Sequence, residues 1–154
     1  MIRAAVISDT HGLLREEVVQ HIADCDVIIH GGDINKPEIV RQLQEMAPLY
    51  VVRGNNDKEW AEALPLFLQF QLEECRIFLV HNKKDVPREL GDTDMVIFGH
   101  SHKYFEQNID GRIWLNPGSC GRRRFDQEIS FAIVTVEGKK VNVEKIVVAQ
   151  ERTK

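Results

Sequence analysis

Five short apolar runs in this chain end in residues that bind metal ions. Ala5-Val6-Ile7-Ser8 is followed by Asp9-Thr10-His11-Gly12, and Val27-Ile28-Ile29 by His30-Gly31-Gly32-Asp33. Tyr50-Val51-Val52 is followed by Arg53-Gly54-Asn55-Asn56-Asp57, and Ile77-Phe78-Leu79-Val80 by His81. Met95-Val96-Ile97-Phe98 is followed by Gly99-His100-Ser101-His102. The candidate ligands are therefore Asp9, His11, Asp33, Asn55, His81, His100 and His102. Carboxylate and amide oxygens suit Mn and Mg, whereas imidazole suits Zn, Fe and Ni. Seven side chains are too many for one ion and about right for two ions that share a carboxylate. Asp9 and His11, like His100 and His102, are two residues apart, so on an extended strand end they point the same way. A lone Asp or His at a strand end is usually a turn or cap residue. Turns do not call for four histidines together.

Such a set converges only if the runs lie side by side. The first half alternates strand and helix patterns: strands at residues 3–8, 27–30 and 49–52, helices at 13–23 and from Pro37 to about Met46. This β-α-β-α-β rhythm predicts parallel strands with helical crossovers. Ligands gather outside the carboxyl ends of such strands. The second half is richer in strands, at 66–72, 76–80, 95–98, 113–115, 130–136 and 140–148, the last two flanking Glu137-Gly138-Lys139 as a hairpin. Two packed sheets with helices outside accommodate all of these.

The chain of 154 residues reads as a single domain over 1–154. Its net charge of −4, with 20 scattered Lys and Arg, excludes a basic nucleic-acid surface and leaves a small phosphate-bearing substrate open. Cys25, Cys75 and Cys120 form neither a disulfide framework nor a C-x-x-C site. Reduced thiols fit a cytoplasmic protein. The opening apolar run, Ala4 to Ile7, is too short for a signal peptide, and no run approaches a membrane span. A homo-oligomer is compatible with the sequence.

Asp9-Thr10-His11, Gly32-Asp33, Gly54-Asn55, His81, Gly99-His100-Ser101-His102 and Asn116-Pro117-Gly118-Ser119 stand in that order over residues 9–119. This set resembles the calcineurin-like metallophosphoesterase superfamily. More narrowly, it is similar to the YfcE-like phosphodiesterase branch, which also includes a scaffold subunit of the retromer coat. The resemblance implies an α/β fold, a four-layer α/β/β/α sandwich of two mixed sheets flanked by helices. It implies one ion on Asp9, His11, Asp33 and His102, and a second on Asp33, Asn55, His81 and His100, with Asp33 bridging. Mn is the metal the resemblance favours, with Fe, Zn or Ni as other occupants. The implied reaction is hydrolysis of a P–O bond in a small phosphoester, most readily a phosphodiester, by a metal-bound hydroxide. Two divalent ions lower the pKa of bound water and clamp a phosphoryl oxygen. The alternatives are a non-catalytic metal-binding interaction scaffold and a phosphomonoesterase.

The sequence departs from the family pattern at three places. Asn56 stands where the phosphatase branch has a His able to protonate the leaving group, so esters with good leaving groups should react best. Asn82 and Lys83, rather than Gly and a second His, follow His81, and Lys83 either meets a phosphate or points to water. Arg122-Arg123-Arg124 follow Asn116-Pro117-Gly118-Ser119, and one of them could bind a substrate oxygen in bidentate fashion. Asn56 and Asp57 are thus candidate catalytic residues, and Asn55 and Arg124 candidate substrate contacts. The plainer role for Asp57 is the cap of a helix starting near Lys58. His30 is expected to be structural or to support a ligand. Trp60 and Trp114 are expected in the core.

Overall fold

The computed structural model describes residues 1–122 and 127–148. The chain folds as two five-stranded mixed sheets packed face to face. The first holds β1 (Ile2–Ile7), β2 (Val27–His30), β3 (Leu49–Val51), β9 (Ser130–Glu137) and β10 (Lys140–Val147), in the order β10-β9-β1-β2-β3. The second holds β4 (Phe67–Leu72), β5 (Cys75–Val80), β6 (Met95–Ile97), β7 (Tyr104–Ile109) and β8 (Arg112–Pro117), in the order β4-β5-β6-β8-β7. Each sheet has three neighbouring parallel strands, β1, β2 and β3 in one, with antiparallel β9 and β10 on the β1 side, and β5, β6 and β8 in the other, with antiparallel β4 and β7 at its two edges.

Strand alternation builds three apolar layers. Ala4, Val6 and Ile29 of the first sheet meet Ile77, Leu79, Met95, Ile97 and Leu115 of the second. Ala5, Ile7, Ile28, Phe131 and Ile133 face outward and are covered by helices α1 (Glu16–Ile22) and α2 (Pro37–Met46), through Val18, Ile22, Ile39, Val40 and Leu43. Pro37 opens α2, where its fixed φ fits and its missing N–H costs nothing. The outer face of the second sheet buries Phe78, Val80, Val96 and Phe98 under Val86, Leu90, Phe105 and Trp114. Its cover is a 3-10 turn, Lys83–Asp85, and the loop after it, so the fourth layer of the sandwich is thin. The Lys83 ammonium lies 5.0 Å from the Phe105 ring centroid, and near those of Phe98 and Trp114, pinning that loop by cation–π attraction.

Two local expectations change. β7 carries no sequence signal because it is an edge strand whose residues Glu106, Gln107 and Asn108 face solvent. The Asp110-Gly111 turn joining it to β8, with both residues at positive φ, is the hairpin signature that could have found it. The helix expected from Lys58 is one 3-10 turn, Glu59–Ala61. Trp60 packs half-buried against the helix-side core, and Trp114 against the outer cluster.

Phe131 of β9 is fully buried in the helix-side cluster. Phe131→Ala should cost about 3–5 kcal/mol. Urea unfolding should show a lower midpoint with an unchanged slope; a shift below about 1 kcal/mol would contradict this packing.

Candidate metal centre

The carboxyl ends of β1, β2, β3, β5 and β6 lie at one end of the seam between the sheets. Past β1 and β2 the hydrogen-bond ladder continues into the loops: Gly31 N–H to the Ile7 carbonyl, Asp9 N–H to Gly32, His11 N–H to Asp33 and Gly12 N–H to Ile34. This register sets Asp9, His11 and Asp33 beside one another. From the second sheet, Gly99 N–H donates to the His81 carbonyl, bringing the 99–102 loop alongside.

Two groups result, each drawn from both sheets: Asp9, His11 and His102, and Asp33, His81 and His100. His102 Nε2 lies 3.4 Å from Asp9 Oδ1 and 3.1 Å from His11 Nε2, and His11 Nε2 is 3.6 Å from Asp9 Oδ1. His81 Nε2 lies 3.2 Å from Asp33 Oδ2, and His11 Nε2 lies 3.8 Å from the same oxygen. Asp33 Oδ2 thus stands within reach of both groups. Asn55 Oδ1 is 3.2 Å from His100 Nδ1. Atoms bound to one ion at about 2.0–2.2 Å sit roughly 3–3.5 Å apart at neighbouring positions, so these spacings fit divalent ions.

The atoms left open point the same way. Asp9 Oδ2 accepts from the Ser8 hydroxyl (2.7 Å) and from His100 N–H (3.1 Å), whereas Asp9 Oδ1 is buried with no hydrogen-bond partner. His81 donates Nδ1–H to the Gly31 carbonyl (2.7 Å), which leaves Nε2 buried and unpartnered. A backbone carbonyl on the far nitrogen is how a ligating imidazole is oriented. Asp9, His11, Asp33, His100 and His102 all have positive φ, as does Asn35, whose carboxamide lies 3.3 Å from His11 Nδ1. Left-handed backbone at so many non-glycine positions is characteristic of a functional site.

Burial works to raise the Asp9 carboxyl, but the imidazoles of His102, His11 and His81 close to it and the Ser8 hydroxyl together hold it far below the ordinary range. Asp33 is also lowered: burial opposes this, and His81 and the Asn56 amide outweigh it. Burial would lower His81, but the Asp33 and Asp9 carboxylates raise it. A divalent ion bound here would displace that proton.

Other expected residues fall elsewhere. Asn56 donates N–H (2.8 Å) and its side-chain amide (3.2 Å) to Asp33. Asp57 does not cap the turn at Glu59–Ala61. Its buried carboxylate accepts from Gly54, Asp33, Ile34 and Asn35 N–H at 2.8–3.0 Å and so ties the loop after β3 to the loop after β2. A carboxylate is the short side chain that can satisfy four converging amides. Lys83 turns away from the centre, onto the outer aromatics. Arg122 is exposed, and Arg124 lies outside the described residues. His30, fully buried, accepts from Gly32 N–H at Nδ1 and meets Thr10 Oγ1 at Nε2 (3.1 Å), which makes it a neutral strut. Sequence reading gave no role to Asn116 or Ser119. Asn116 donates to the Gly99 carbonyl and Ser119 to the Asp9 carbonyl (both 3.0 Å), so the motif after β8 props the ligand loops.

A family model described as the calcineurin-like phosphoesterase superfamily domain matches residues 2–139. A protein of Methanothermobacter thermautotrophicus named "Probable metallophosphoesterase" is 32% identical, over 92% of this chain and 90% of its own. The phosphodiesterase YfcE of Escherichia coli K12 is 30% identical, over 77% of this chain and 79% of its own. Among solved structures, wild-type Vps29 of Entamoeba histolytica in complex with Zn2+ superposes with a TM-score of 0.74 at 19% identity, over 95% of this chain and 99% of that one.

Asp57→Ala removes the acceptor of four loop amides. It should cost about 1–3 kcal/mol or more in urea unfolding and weaken Mn binding about 10–100-fold by calorimetry. Unchanged affinity would refute the clamp. Burial drives His30 down to about 4 from 6.5. As pH falls through that window the unfolded chain takes up a proton that the folded one refuses, so stability falls by up to about 3 kcal/mol. Asp9 and Asp33, being lowered, lose their contribution only below the unfolded carboxylate value of 3.8. His81, being raised, gains its full stabilisation only below the unfolded value of 6.5, so chelator-treated protein should be less stable at pH 4.5 than at pH 6. His30→Gln should flatten that slope, and an equal slope in the variant would remove His30 as its source.

Proposed function

This chain belongs to the calcineurin-like phosphoesterase superfamily, and on that premise we propose that it is a dinuclear-metal-dependent phosphodiesterase. The observation that carries the reading is the pair of buried, unpartnered ligand atoms, Asp9 Oδ1 and His81 Nε2, aimed into one cluster of acids and imidazoles. Asp9, His11, Asp33 and His102 would hold one ion, and Asp33, Asn55, His81 and His100 the other. Mn is the expected occupant, with Fe, Zn or Ni as substitutes. When bound, such a pair lowers the pKa of water and polarises a phosphoryl oxygen.

The chain's own residues supply the rest. Asp33 is held below the ordinary carboxylate range, against its burial, by His81 and then by Asn56, so it can face two cations at once. The amide of Asn56 donates to that carboxylate and cannot deliver an acidic proton to a leaving oxygen. Preference should therefore fall on esters whose leaving group departs without help, and Asn56 argues against an efficient alkyl phosphomonoesterase. Arg124 remains a candidate substrate contact on the resemblance alone. Three cysteines without a disulfide support a reducing, cytoplasmic setting, and among the described residues no helix is long and apolar enough to cross a membrane. The second reading, a metal-binding interaction scaffold, is left open by the fold likeness to Vps29.

Purified protein with Mn should hydrolyse bis-p-nitrophenyl phosphate faster than p-nitrophenyl phosphate. Chelation or His100→Ala should lower that turnover by about 100-fold or more. Turnover that survives both treatments would exclude this centre. A stoichiometric protein partner with no turnover on any phosphoester would favour the scaffold.

A further inference from the structure

We propose that the metal-binding end continues into a specificity cleft for an aromatic ring esterified to the substrate's phosphorus; this rests on the phosphoesterase reading above. A cleft of about 400 Å3 begins at Asn55 and His81 and runs along Leu66 and Phe67, with Arg53 and Asp85 also in its lining. That volume lies in the range of small-molecule sites. Its first wall is shared with the centre, since His81 belongs to the acid–imidazole cluster and Asn55 touches His100.

The far wall is unusual for this molecule. Among the described residues, four large hydrophobic side chains are more than half exposed: Met1, Leu66, Phe67 and Val147. Two of the four are adjacent and line this cleft. Isolated exposed apolar residues need no explanation; this adjacent pair instead lines a cleft that opens on the polar centre and offers an apolar group a surface there. Phe67 lies flat on Phe78, with centroids 5.6 Å apart and planes at 11°, so its ring is held at a fixed tilt while 55% exposed. A fixed ring presents an aromatic partner with a preset stacking or edge surface. Arg53 offers a planar cation that packs against ring faces.

The chemistry of the centre selects the same class. Asn56 leaves the leaving oxygen without an acid, and an aryl oxide is a leaving group that needs none. The ring that fits the cleft is therefore the one whose ester the centre can cleave.

The test uses two phosphonates that cannot be hydrolysed, titrated calorimetrically into Mn-loaded protein. Benzylphosphonate keeps a ring at the distance of a phenyl ester; methylphosphonate presents the same anion without it. Benzylphosphonate should bind about tenfold tighter or more, the worth of a partly buried ring. In Phe67→Ser and Leu66→Ser, whose replaced side chains are mostly exposed, that ratio should fall toward one. Equal affinities in the wild-type protein, or a ratio untouched by both substitutions, would overturn the cleft while leaving the phosphoesterase reading standing. Equal affinities would also make a protein segment the better occupant of the apolar wall. If neither phosphonate binds, both readings fall.

Discussion

Two carboxylates, Asp9 and Asp33, are buried side by side at the seam between two sheets, and water cannot solvate them there. A buried charge is tolerated only when it is paired and hydrogen-bonded. Much of this end of the molecule meets that demand. Ser8 and the His100 amide occupy one oxygen of Asp9, Asn56 engages both oxygens of Asp33, and four imidazoles ring the open side. The local backbone is bent to suit. Left-handed conformations cost about 1–3 kcal/mol at an unfavourable residue, and persist where the surroundings over-determine them. Gly54 and Gly99 belong to the same constraint, because a Cβ on either would collide with Asp33 or Ser8.

Neither sheet could form the centre alone. Asp9, His11 and Asp33 come from the first, and His81, His100 and His102 from the second, so the packing of one sheet on the other assembles the cluster. Hydrogen bonds across the seam fix that packing where it matters: His81 to the Gly31 carbonyl, the His100 amide to Asp9, Ser119 to the Asp9 carbonyl. The apolar contact between sheets supplies most of the affinity of one for the other, but it is non-directional and would tolerate small slides. The polar links are directional and set the final register at the ligand end.

Several chemically suggestive residues turn out to hold structure in place. Asp57 follows Gly54-Asn55-Asn56 and so looks like a cap or a catalyst. Its role depends on four amides from two loops that come together only in the fold. His30 sits inside a motif, yet its burial between Thr10 and Gly32 makes it a neutral spacer. Lys83, two residues after His81 in the chain, is carried to the outer face of the second sheet by the 3-10 turn after β5. Nearness in sequence is a poor guide once the chain leaves a strand, because a turn of three residues can reverse which face a side chain meets.

The types, order and strand-end positions of the clustered acids and imidazoles could be read from the chain because strands of period two and their terminal turns are local properties. The same holds for α2, announced by Pro37, and for the closing hairpin around Gly138. The thin fourth layer, the clamp by Asp57 and the props from Asn116 and Ser119 were decided only by tertiary structure. Each depends on which atom of a distant segment stands within about 3 Å, a distance set by sheet packing and not by any run of neighbouring residues.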